Sequence, residues 1–376
     1  MLNIHVHHSL DEIDAHCWNA LCGTDYPFLR HEFLQALEQS GSVCAETGWQ
    51  PLHLRLEQDG STVAVMPLYL KSHSYGEYVF DWAWADAYQQ HGLDYYPKLV
   101  TAIPFTPAWG PRLGSRLPDA ELMPLLAQGL KTLAERTGAS SWHGLFPSPA
   151  QQQAWVAEGL LPRLGCQYHW FNEDYRSFDD FLAHCSSRKR KNLRKERQKI
   201  VRHGVKLRRL SGEQISDAQL AQFYRFYQLT YLKRGRRGYL TAEFFQLLRE
   251  RMPQQLLLVL AEYQDQPVAG ALSLRSSDTL YGRYWGCLDE FDSLHFETCY
   301  YQGIEYCIEQ GLKRFDPGAQ GEHKIQRGFR PIETWSCHWI REPGFRAAIE
   351  QYLAEEAALV REQIEELSEL LPFRKE

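Results

Sequence analysis

Three residues with proton-transferring side chains lie close together in the last third of the 376-residue sequence. His295 and Glu297 stand at the beginning of a predicted helix, and His323 follows the glycine-rich turn after it. An imidazole or a carboxylate can take a proton from an ammonium group, which frees the amine to attack a carbonyl carbon. We therefore treat these three residues as candidate catalytic residues and leave the general base unassigned among them.

The same region supplies side chains that could hold a substrate. Lys324 and Arg327 can bind a phosphate or a carboxylate. Tyr284, in an aromatic stretch before the helix, can donate a hydrogen bond to an oxyanion or a leaving group. The competing interpretation is that these charges only solvate two surface loops. We favour a binding site because the charged residues alternate here with Trp and Phe.

A predicted strand, helix and strand position these residues. Residues 280–287 are short and aromatic-rich, which indicates a strand, and 313–316 form a second one. Between them, 296–309 has apolar residues at helical spacing and ends at Gly311. Open α/β sheets build their sites at the carboxyl ends of strands, so the loops after both strands are expected to form one site.

Four segments resemble a family of predicted N-acyltransferases related to the Fem peptidyltransferases, which are labelled as peptidoglycan biosynthesis or recognition proteins. The segments are RYWGC at 283–287, LHFETCYYQGIEYC at 294–307, GAQGEHKIQRGF at 318–329 and DWAWADAY at 81–88. This resemblance covers nearly the whole chain. It implies the fold of the GNAT acyltransferase superfamily and the direct attack of a primary amine on an acyl donor. It also implies that the reaction uses no metal and no tightly bound cofactor.

The resemblance leaves the donor open between aminoacyl-tRNA and acyl-CoA. Fem enzymes use aminoacyl-tRNA and modify peptidoglycan precursors, which implies a small-molecule or peptide-precursor amine as acceptor. CoA-dependent GNAT proteins carry a glycine-containing loop whose amides cradle pyrophosphate before a helix. The corresponding segment here, 288–296, has no glycine and three acidic residues, so the sequence disfavours acyl-CoA. A third hypothesis is a non-catalytic module that binds a cell-wall precursor or nucleic acid.

The length and an internal repeat predict two domains. A hairpin pattern at 52–70, with a polar turn containing Gln and Asp, returns at 257–274. We therefore predict an α/β fold of two tandem GNAT-like units, each a mixed, mostly antiparallel sheet flanked by helices. The predicted boundaries are 1–175 for the first unit, 176–344 for the second and 345–376 for an acidic, amphipathic C-terminal helix.

An aromatic band covers residues 78–109, and Pro97, Pro104, Pro107 and Pro111 lie within it or just after it. Trp and Tyr in loops fixed by Pro suit a rigid pocket wall. We therefore treat Asp81 and Trp84 as candidate substrate-binding residues. The alternative is an irregular but ordinary piece of core.

A basic segment at 188–202 contains nine Lys or Arg residues and one Glu, in a chain whose net charge is −6. It is predicted to be a helix that belongs to the second unit. Three interpretations compete: a solvated helix face, a surface for a phosphate-rich partner such as tRNA, and contact with an anionic membrane surface. Internal pairing with the acidic C-terminal helix is a rival to nucleic-acid binding.

The remaining composition indicates a globular protein of the cytoplasm. No apolar run is long enough to span a bilayer, so no integral membrane contact is expected. The first residues lack the basic and apolar regions of a secretory signal. Nine cysteines without a Cys-x-x-Cys pair indicate reduced thiols rather than a disulfide framework or a zinc ribbon.

Overall fold

A computed structural model describes residues 2–319 and 321–374. Gln320, inside the predicted glycine-rich turn, lies outside the described residues. The strands are β1 Leu2–His7, β2 Trp49–Pro51, β3 His53–Gln58, β4 Ser61–Met66, β5 Tyr69–Lys71, β6 Lys98–Thr101, β7 Gly114–Ser115, β8 Ser141–Leu145, β9 Leu161–Phe171, β10 Lys206–Ser211, β11 Leu256–Tyr263, β12 Gln266–Arg275, β13 Thr279–Cys287, β14 Arg314–Asp316 and β15 Arg330–Ile340.

The helices are α1 Ala15–Cys22, α2 His31–Gln39, α3 Trp82–Gln90, α4 Asp119–Thr137, α5 Pro149–Ala157, α6 Phe178–His184, α7 Ser187–Arg202, α8 Asp217–Leu232, α9 Ala242–Arg251, α10 Leu294–Phe296, α11 Gln302–Gln310 and α12 Pro343–Ser368. A π turn, Glu297–Tyr301, joins α10 to α11, and a 3-10 helix, Glu322–Arg327, follows β14.

The chain forms two compact units. The first comprises Met1–Cys166 and Glu333–Glu362, and the second comprises Gln167–Ile332 and Gln363–Glu376. The division falls inside β9, β15 and α12, so each of these elements contributes residues to both units. The boundaries predicted from the sequence, after residues 175 and 344, stay a prediction.

In the first unit, an antiparallel sheet has the order β1-β3-β4-β7, and a second set of strands has the order β15-β8-β6-β5-β2. One pair of strands, β6 with β8, is parallel. The core is apolar: leucines of α4 such as Leu126 and Leu130 lie in one cluster with Leu54 and Leu56 of β3. Leucines at this helical spacing put one face of α4 on the sheet.

In the second unit, the strand order is β10-β11-β12-β13-β14-β9. All pairs are antiparallel except β13 with β14. The predicted hairpin repeat is confirmed, since β3–β4 and β11–β12 are both antiparallel hairpins. Each hairpin also shifts register near its turn, after Leu56 and after Ala261, respectively. Mixed, mostly antiparallel sheets flanked by helices are thus confirmed in both units.

The C-terminal amphipathic helix is also confirmed as α12. Ile349 and Leu353 are buried in the first unit, against Trp84 and Tyr88. Arg163 donates two hydrogen bonds of 2.8 Å to the carboxylate of Glu356 on this helix. Among the described residues, none of the helices combines the length and the apolar character that a bilayer span requires.

The aromatic band is more regular than the sequence suggests. It contains α3 and β6, whereas we expected mostly irregular structure. Trp84 and Tyr88 are four residues apart, so they share one face of α3, and both are buried against Leu161 and Ile340. Burial of this face stabilises α3, a helix that is difficult to predict from the sequence because prolines lie near it.

Candidate functional site

The second unit brings polar side chains together where its two parallel strands end. β13 pairs with β14 only from Thr279 to Tyr281, and β13 then continues to Cys287 while β14 stops at Asp316. The chain leaving β14 therefore turns beside the continuing strand, as expected for a site at strand carboxyl ends. We call the residues gathered here, His295, Glu297, Asp316, His323, Lys324 and Arg327, the strand-end cluster.

Asp316 anchors the loop after β14. It is fully buried and forms a two-point ion pair with Arg283, with distances of 3.2 and 2.5 Å. The amide of Gly318 donates to the same carboxylate at 2.9 Å. Burial alone would raise the pKa of Asp316, but the Arg283 guanidinium holds it well below its usual range. A fixed anion thus sets the path of the glycine-rich turn.

His295 lies in an aromatic box. Its ring is 5.2 Å from that of Trp285, 5.1 Å from that of Tyr300 and 6.0 Å from that of His323, between centroids. Burial, with the nearby charge of Lys324, lowers the pKa of His295 to about 4. The imidazole is therefore neutral near pH 7.

His323 is the most accessible of the three candidate catalytic residues. It is exposed, whereas His295 is half-buried and Glu297 is buried. Its Nε2 is hydrogen-bonded to the Tyr300 hydroxyl at 2.9 Å. Partial burial and the charge of Arg327 lower the pKa of His323 below its ordinary value of 6.5. His323 is thus a neutral imidazole that an incoming substrate can reach.

Lys324 and Arg327 are both buried in the same 3-10 helix. The Lys324 ammonium donates to the carbonyl oxygen of Gly318 at 2.6 Å, and burial lowers its pKa to about 8. Arg327 donates to Glu196 of α7 at 2.8 Å, and its guanidinium lies 3.3 Å from the centroid of the Phe296 ring. These two cations thus line the cluster and also connect the 3-10 helix to the glycine-rich turn and to α7.

Glu297 is engaged by other side chains. It is 4% exposed and begins the π turn, a feature often found at functional sites. Arg197 of α7 donates to both carboxylate oxygens, at 2.9 and 3.1 Å, and the Gln302 amide donates at 2.8 Å. Because both oxygens already accept hydrogen bonds, Glu297 is less available to accept a substrate proton than His323. Its catalytic role stays a prediction.

Tyr284 lies apart from the other predicted residues of this unit. Its ring packs against Tyr227 of α8 and Phe245 of α9, at 5.8 and 5.3 Å. Neighbouring side chains on a strand point to opposite faces, and the next residue, Trp285, contacts His295. The structure therefore gives Tyr284 a packing role on the face of α8 and α9, and its substrate-binding role stays a prediction.

Asp81 and Trp84 lie in the first unit, inside a buried polar network. Lys98 donates to Asp81 at 2.5 Å, to Glu77 at 2.7 Å and to Ser74 at 2.8 Å. Asp81 is 2% and Trp84 5% exposed. Both side chains thus have partners within the protein, and their predicted contact with substrate stays untested.

Two histidines extend this network. His143 and His338 are cross-strand neighbours on β8 and β15, with their Nδ1 atoms 2.6 Å apart. The ring of Trp84 lies 4.9 Å from that of His338. Burial lowers the pKa of His143 to about 3 and that of His338 well below its ordinary value. Both histidines are therefore neutral near pH 7.

The acidic connection after β13 is partly neutralised by two helices. Lys233, at the end of α8, pairs with Glu290 at 2.6 Å, and Lys199 of α7 pairs with Asp292 at 2.6 Å. These pairs are substantially exposed, so each contributes little to stability. They reduce the repulsion of phosphate that the sequence predicts, but the segment still has no glycine to approach a pyrophosphate closely.

The basic segment forms α7, whose two faces differ. Leu193 and Ile200 are buried, whereas Val201 is exposed. Successive residues of an α-helix are rotated by about 100° around the helix axis. Four exposed cations therefore lie within a sector of about 60° around this axis, on the side opposite the buried Leu193 and Ile200. They are Arg188, Lys191, Lys195 and Arg202. We call them the outer stripe; in the described part of the chain none of them forms an ion pair.

Sequence reasoning missed the residues that hold the cluster in place, chiefly Glu196, Arg197 and Asp316. A signal for two of them was present, because Glu196 and Arg197 flank the apolar face of α7 defined by Leu193 and Ile200. A charge facing inward on an otherwise exposed basic helix requires a buried partner. The sequence does not indicate which residues those partners are.

A family comparison identifies the chain's relatives. The model of the FemAB-like family, described as peptidoglycan biosynthesis/recognition, matches residues 9–375. The chain belongs to this family. No curated protein matches it by sequence.

Solved structures similar to this FemAB-like protein show the same fold. The C-terminal domain of a putative lysylphosphatidylglycerol synthetase from Agrobacterium fabrum has a TM-score of 0.55 at 11% identity, over 94% of this chain and 98% of that chain. FemX has a TM-score of 0.53 at 13% identity, over 93% and 100%. A tandem GNAT protein from the clavulanic acid biosynthesis pathway has a TM-score of 0.48 at 8% identity, over 91% and 99%. The first two of these structures show the fold that this chain shares with them.

Proposed function

We propose that this FemAB-like protein transfers an aminoacyl group from a charged tRNA to a primary amine of a peptidoglycan-related precursor. Membership of the family supports a transferase with a GNAT-like fold. The structural similarity to FemX supports the fold alone at this level of identity. The observation that carries the choice of donor is the position of α7. This helix contacts the strand-end cluster through Glu196 and Arg197 and presents the outer stripe on its opposite side.

The reaction requires a group that accepts a proton from the acceptor nitrogen, a proton for the departing ribose oxygen, and stabilisation of the negative charge on the carbonyl oxygen. The nitrogen lone pair of the acceptor attacks the ester carbonyl of the donor, a C–N bond forms, and the C–O bond to the tRNA ribose breaks. In this proposal His323 accepts the proton that the acceptor nitrogen loses, and this proton passes to the departing ribose oxygen. The buried cations Lys324 and Arg327 favour the negative charge that develops on the carbonyl oxygen. No tightly bound cofactor takes part.

The outer stripe suits a nucleic-acid donor in length and charge. From Arg188 to Arg202 it spans about 20 Å along the helix axis, at about 1.5 Å per residue. A row of exposed cations of this length can neutralise several phosphates of one RNA strand or groove. A small CoA molecule would not need such a row. The cations of α7 that form described ion pairs have their partners in the same unit, at Asp179, Asp292, Glu297 and Glu305, and none of these partners lies on α12.

Neutralising the outer stripe should abolish most of the salt dependence of tRNA binding. The variant changes Arg188, Lys191, Lys195 and Arg202 to Gln. Four phosphate contacts contribute a slope of about −3.6 to log K against log salt, so wild-type affinity should fall about 100-fold more than that of the variant from about 50 to about 200 mM salt. The measurement is the Kd for aminoacyl-tRNA by fluorescence anisotropy at both salt concentrations.

A matched control removes two exposed cations of the same unit, Lys206 and Arg208 of β10, and should leave the slope unchanged. Acetyl-CoA serves as the competing ligand. Equal salt slopes for the wild type and the stripe variant would contradict the tRNA proposal. Tight, stripe-independent binding of acetyl-CoA would favour the acyl-CoA donor instead.

A further inference from the structure

Two consecutive residues of α7 face the opposite way from the outer stripe and contact both halves of the strand-end cluster. Arg197 reaches the π turn, which follows α10. Glu196 reaches the 3-10 helix that carries His323, Lys324 and Arg327. One turn of a single helix therefore touches the two segments that supply Glu297 and His323, and His295 lies two residues before the first of these segments.

The contacts of Arg197 are charge-assisted and partly buried. It donates to Glu297 at 2.9 and 3.1 Å and to Glu305 of α11 at 3.1 and 3.3 Å. Its guanidinium also lies 4.4 Å from the centroid of the Phe178 ring. Glu297 is 4% exposed, so removing Arg197 would leave a buried carboxylate without its cation.

Glu196 contacts both the 3-10 helix and the end of the π turn. One of its oxygens accepts from Arg327 at 2.8 Å, and the other accepts from the hydroxyl of Tyr301, the last residue of the π turn. Arg327 in turn donates to the backbone oxygen of His323 at 2.7 Å. The chain of contacts thus runs from α7 to the backbone of the proposed base.

We propose that Glu196 and Arg197 are positioning residues, which fix the π turn and the 3-10 helix relative to each other so that His295 and His323 adopt their working geometry. The proposal rests on the proposed transferase function for its kinetic consequence, but the positioning itself can be measured without any donor. It gives α7 two separable tasks: the outer stripe binds the donor, and the inner pair arranges the cluster. Glu297 then serves as an anchor for the π turn rather than as the general base.

The π turn explains why such an anchor is needed. In a π turn the backbone hydrogen bonds join residues five positions apart instead of four. This arrangement is rare because it is intrinsically less favourable than the regular α-helix. In this protein it is bracketed by Glu297 at its start and Tyr301 at its end, and both side chains are held by α7. Loss of either contact allows this segment to return to regular helix, which rotates the residues before it, including His295.

The test separates donor binding from chemistry. Arg197→Gln should lower the single-turnover rate of aminoacyl transfer about 100-fold, the typical effect of a 1 Å misplacement, while the Kd for aminoacyl-tRNA changes less than about twofold. Arg197→Lys keeps the charge but loses the two-point contact, and it should recover part of the rate. Lys191→Gln with Lys195→Gln, in the outer stripe, should instead raise the Kd for aminoacyl-tRNA. Arg208→Gln, which removes the ion pair between an exposed arginine of β10 and Glu262 of β11, is the matched control.

A second readout needs no donor and keeps the proposal testable if the proposed function is wrong. Amide hydrogen exchange in 297–301 and 322–327 should rise at least about tenfold in Arg197→Gln and stay unchanged in the control, because local opening reports the loss of these contacts. Wild-type protein that neither binds nor uses charged tRNA would overturn the proposed function, and the exchange result would still decide the positioning role. Unchanged exchange in both segments, or a rate that falls only in proportion to binding, would overturn the positioning role.

Discussion

Replacing Lys98 by Met is expected to destabilise the first unit by about 3–5 kcal/mol, the usual penalty for breaking a buried ion pair from one side. Lys98 is fully buried and donates to Glu77 and Asp81, neither of which is more than 4% exposed. Methionine fills a similar volume but supplies no charge and no donor. Two carboxylates would then remain in the interior without their cation.

The two carboxylates have few other hydrogen bonds that could compensate for the loss of Lys98. In the described part of the chain, one oxygen of each carboxylate, Glu77 Oε1 and Asp81 Oδ1, already lacks a hydrogen-bond partner. Burial raises the pKa of Glu77 to about 7, while Lys98 holds the pKa of Asp81 well below its usual range despite burial. Removal of the ammonium therefore forces Asp81 either to stay charged and unpaired or to take up a proton.

Urea unfolding at pH 7 measures this effect. Lys206→Met is the matched control, because Lys206 and Asp265 form a similar pair that is 72% and 86% exposed, and this change should cost less than about 1 kcal/mol. Combining Lys98→Met with Glu77→Leu and Asp81→Leu removes the stranded charges and should restore part of the stability. A loss below about 1 kcal/mol for Lys98→Met alone would show that the network is not an ion pair in solution.

Replacing His323 by Gln is expected to lower kcat about 10²–10⁴-fold, the range that general acid–base catalysis contributes. Glutamine keeps a polar side chain of similar size near Tyr300 but cannot accept a proton from the acceptor ammonium. The exposed His16 offers a matched His→Gln control in the first unit, with no expected effect on kcat. If His295→Gln lowers kcat and His323→Gln does not, the general base is His295.

The pH dependence follows from the sign of the His323 shift. Its pKa in the folded protein lies below 6.5, so the imidazole is neutral and able to accept a proton at pH 7 and above. The rate should therefore hold as the pH falls from 8 to about 6.5 and decline only below that value, where His323 becomes protonated. A decline that begins near pH 8 would indicate Lys324 instead, because its pKa is lowered to about 8. Rates measured in buffers of constant ionic strength separate the two cases.

The sequence predicted the elements around the site well because their signals are local. The strand before the helix, the helix end at Gly311 and the hairpin repeat depend on spacing and turn residues within a few positions. The π turn was not predicted, since it depends on Glu297 meeting Arg197, which lies one hundred residues earlier in the chain. Contacts of this separation leave no periodic pattern.

Side-chain direction explains the other differences. Tyr284 and Trp285 are adjacent aromatic residues, and the sequence alone does not show which of them faces the helix that carries His295. Asp81 looked available for a ligand because it lies among aromatic and loop-forming residues. Its partner Lys98 is a single basic residue on a short strand, and this pattern does not indicate a buried ion pair.

The transfer reaction itself tests the central claim most directly. Single-turnover mixtures would contain the protein, a peptide with a free primary amine of the peptidoglycan type, and either aminoacyl-tRNA labelled in the amino acid or labelled acetyl-CoA. The proposed function predicts labelled amide product and uncharged tRNA from the first mixture, lost in His323→Gln, and neither acetylated peptide nor free thiol from the second. Acetylated peptide with equimolar thiol from acetyl-CoA, and no product from aminoacyl-tRNA, would contradict it.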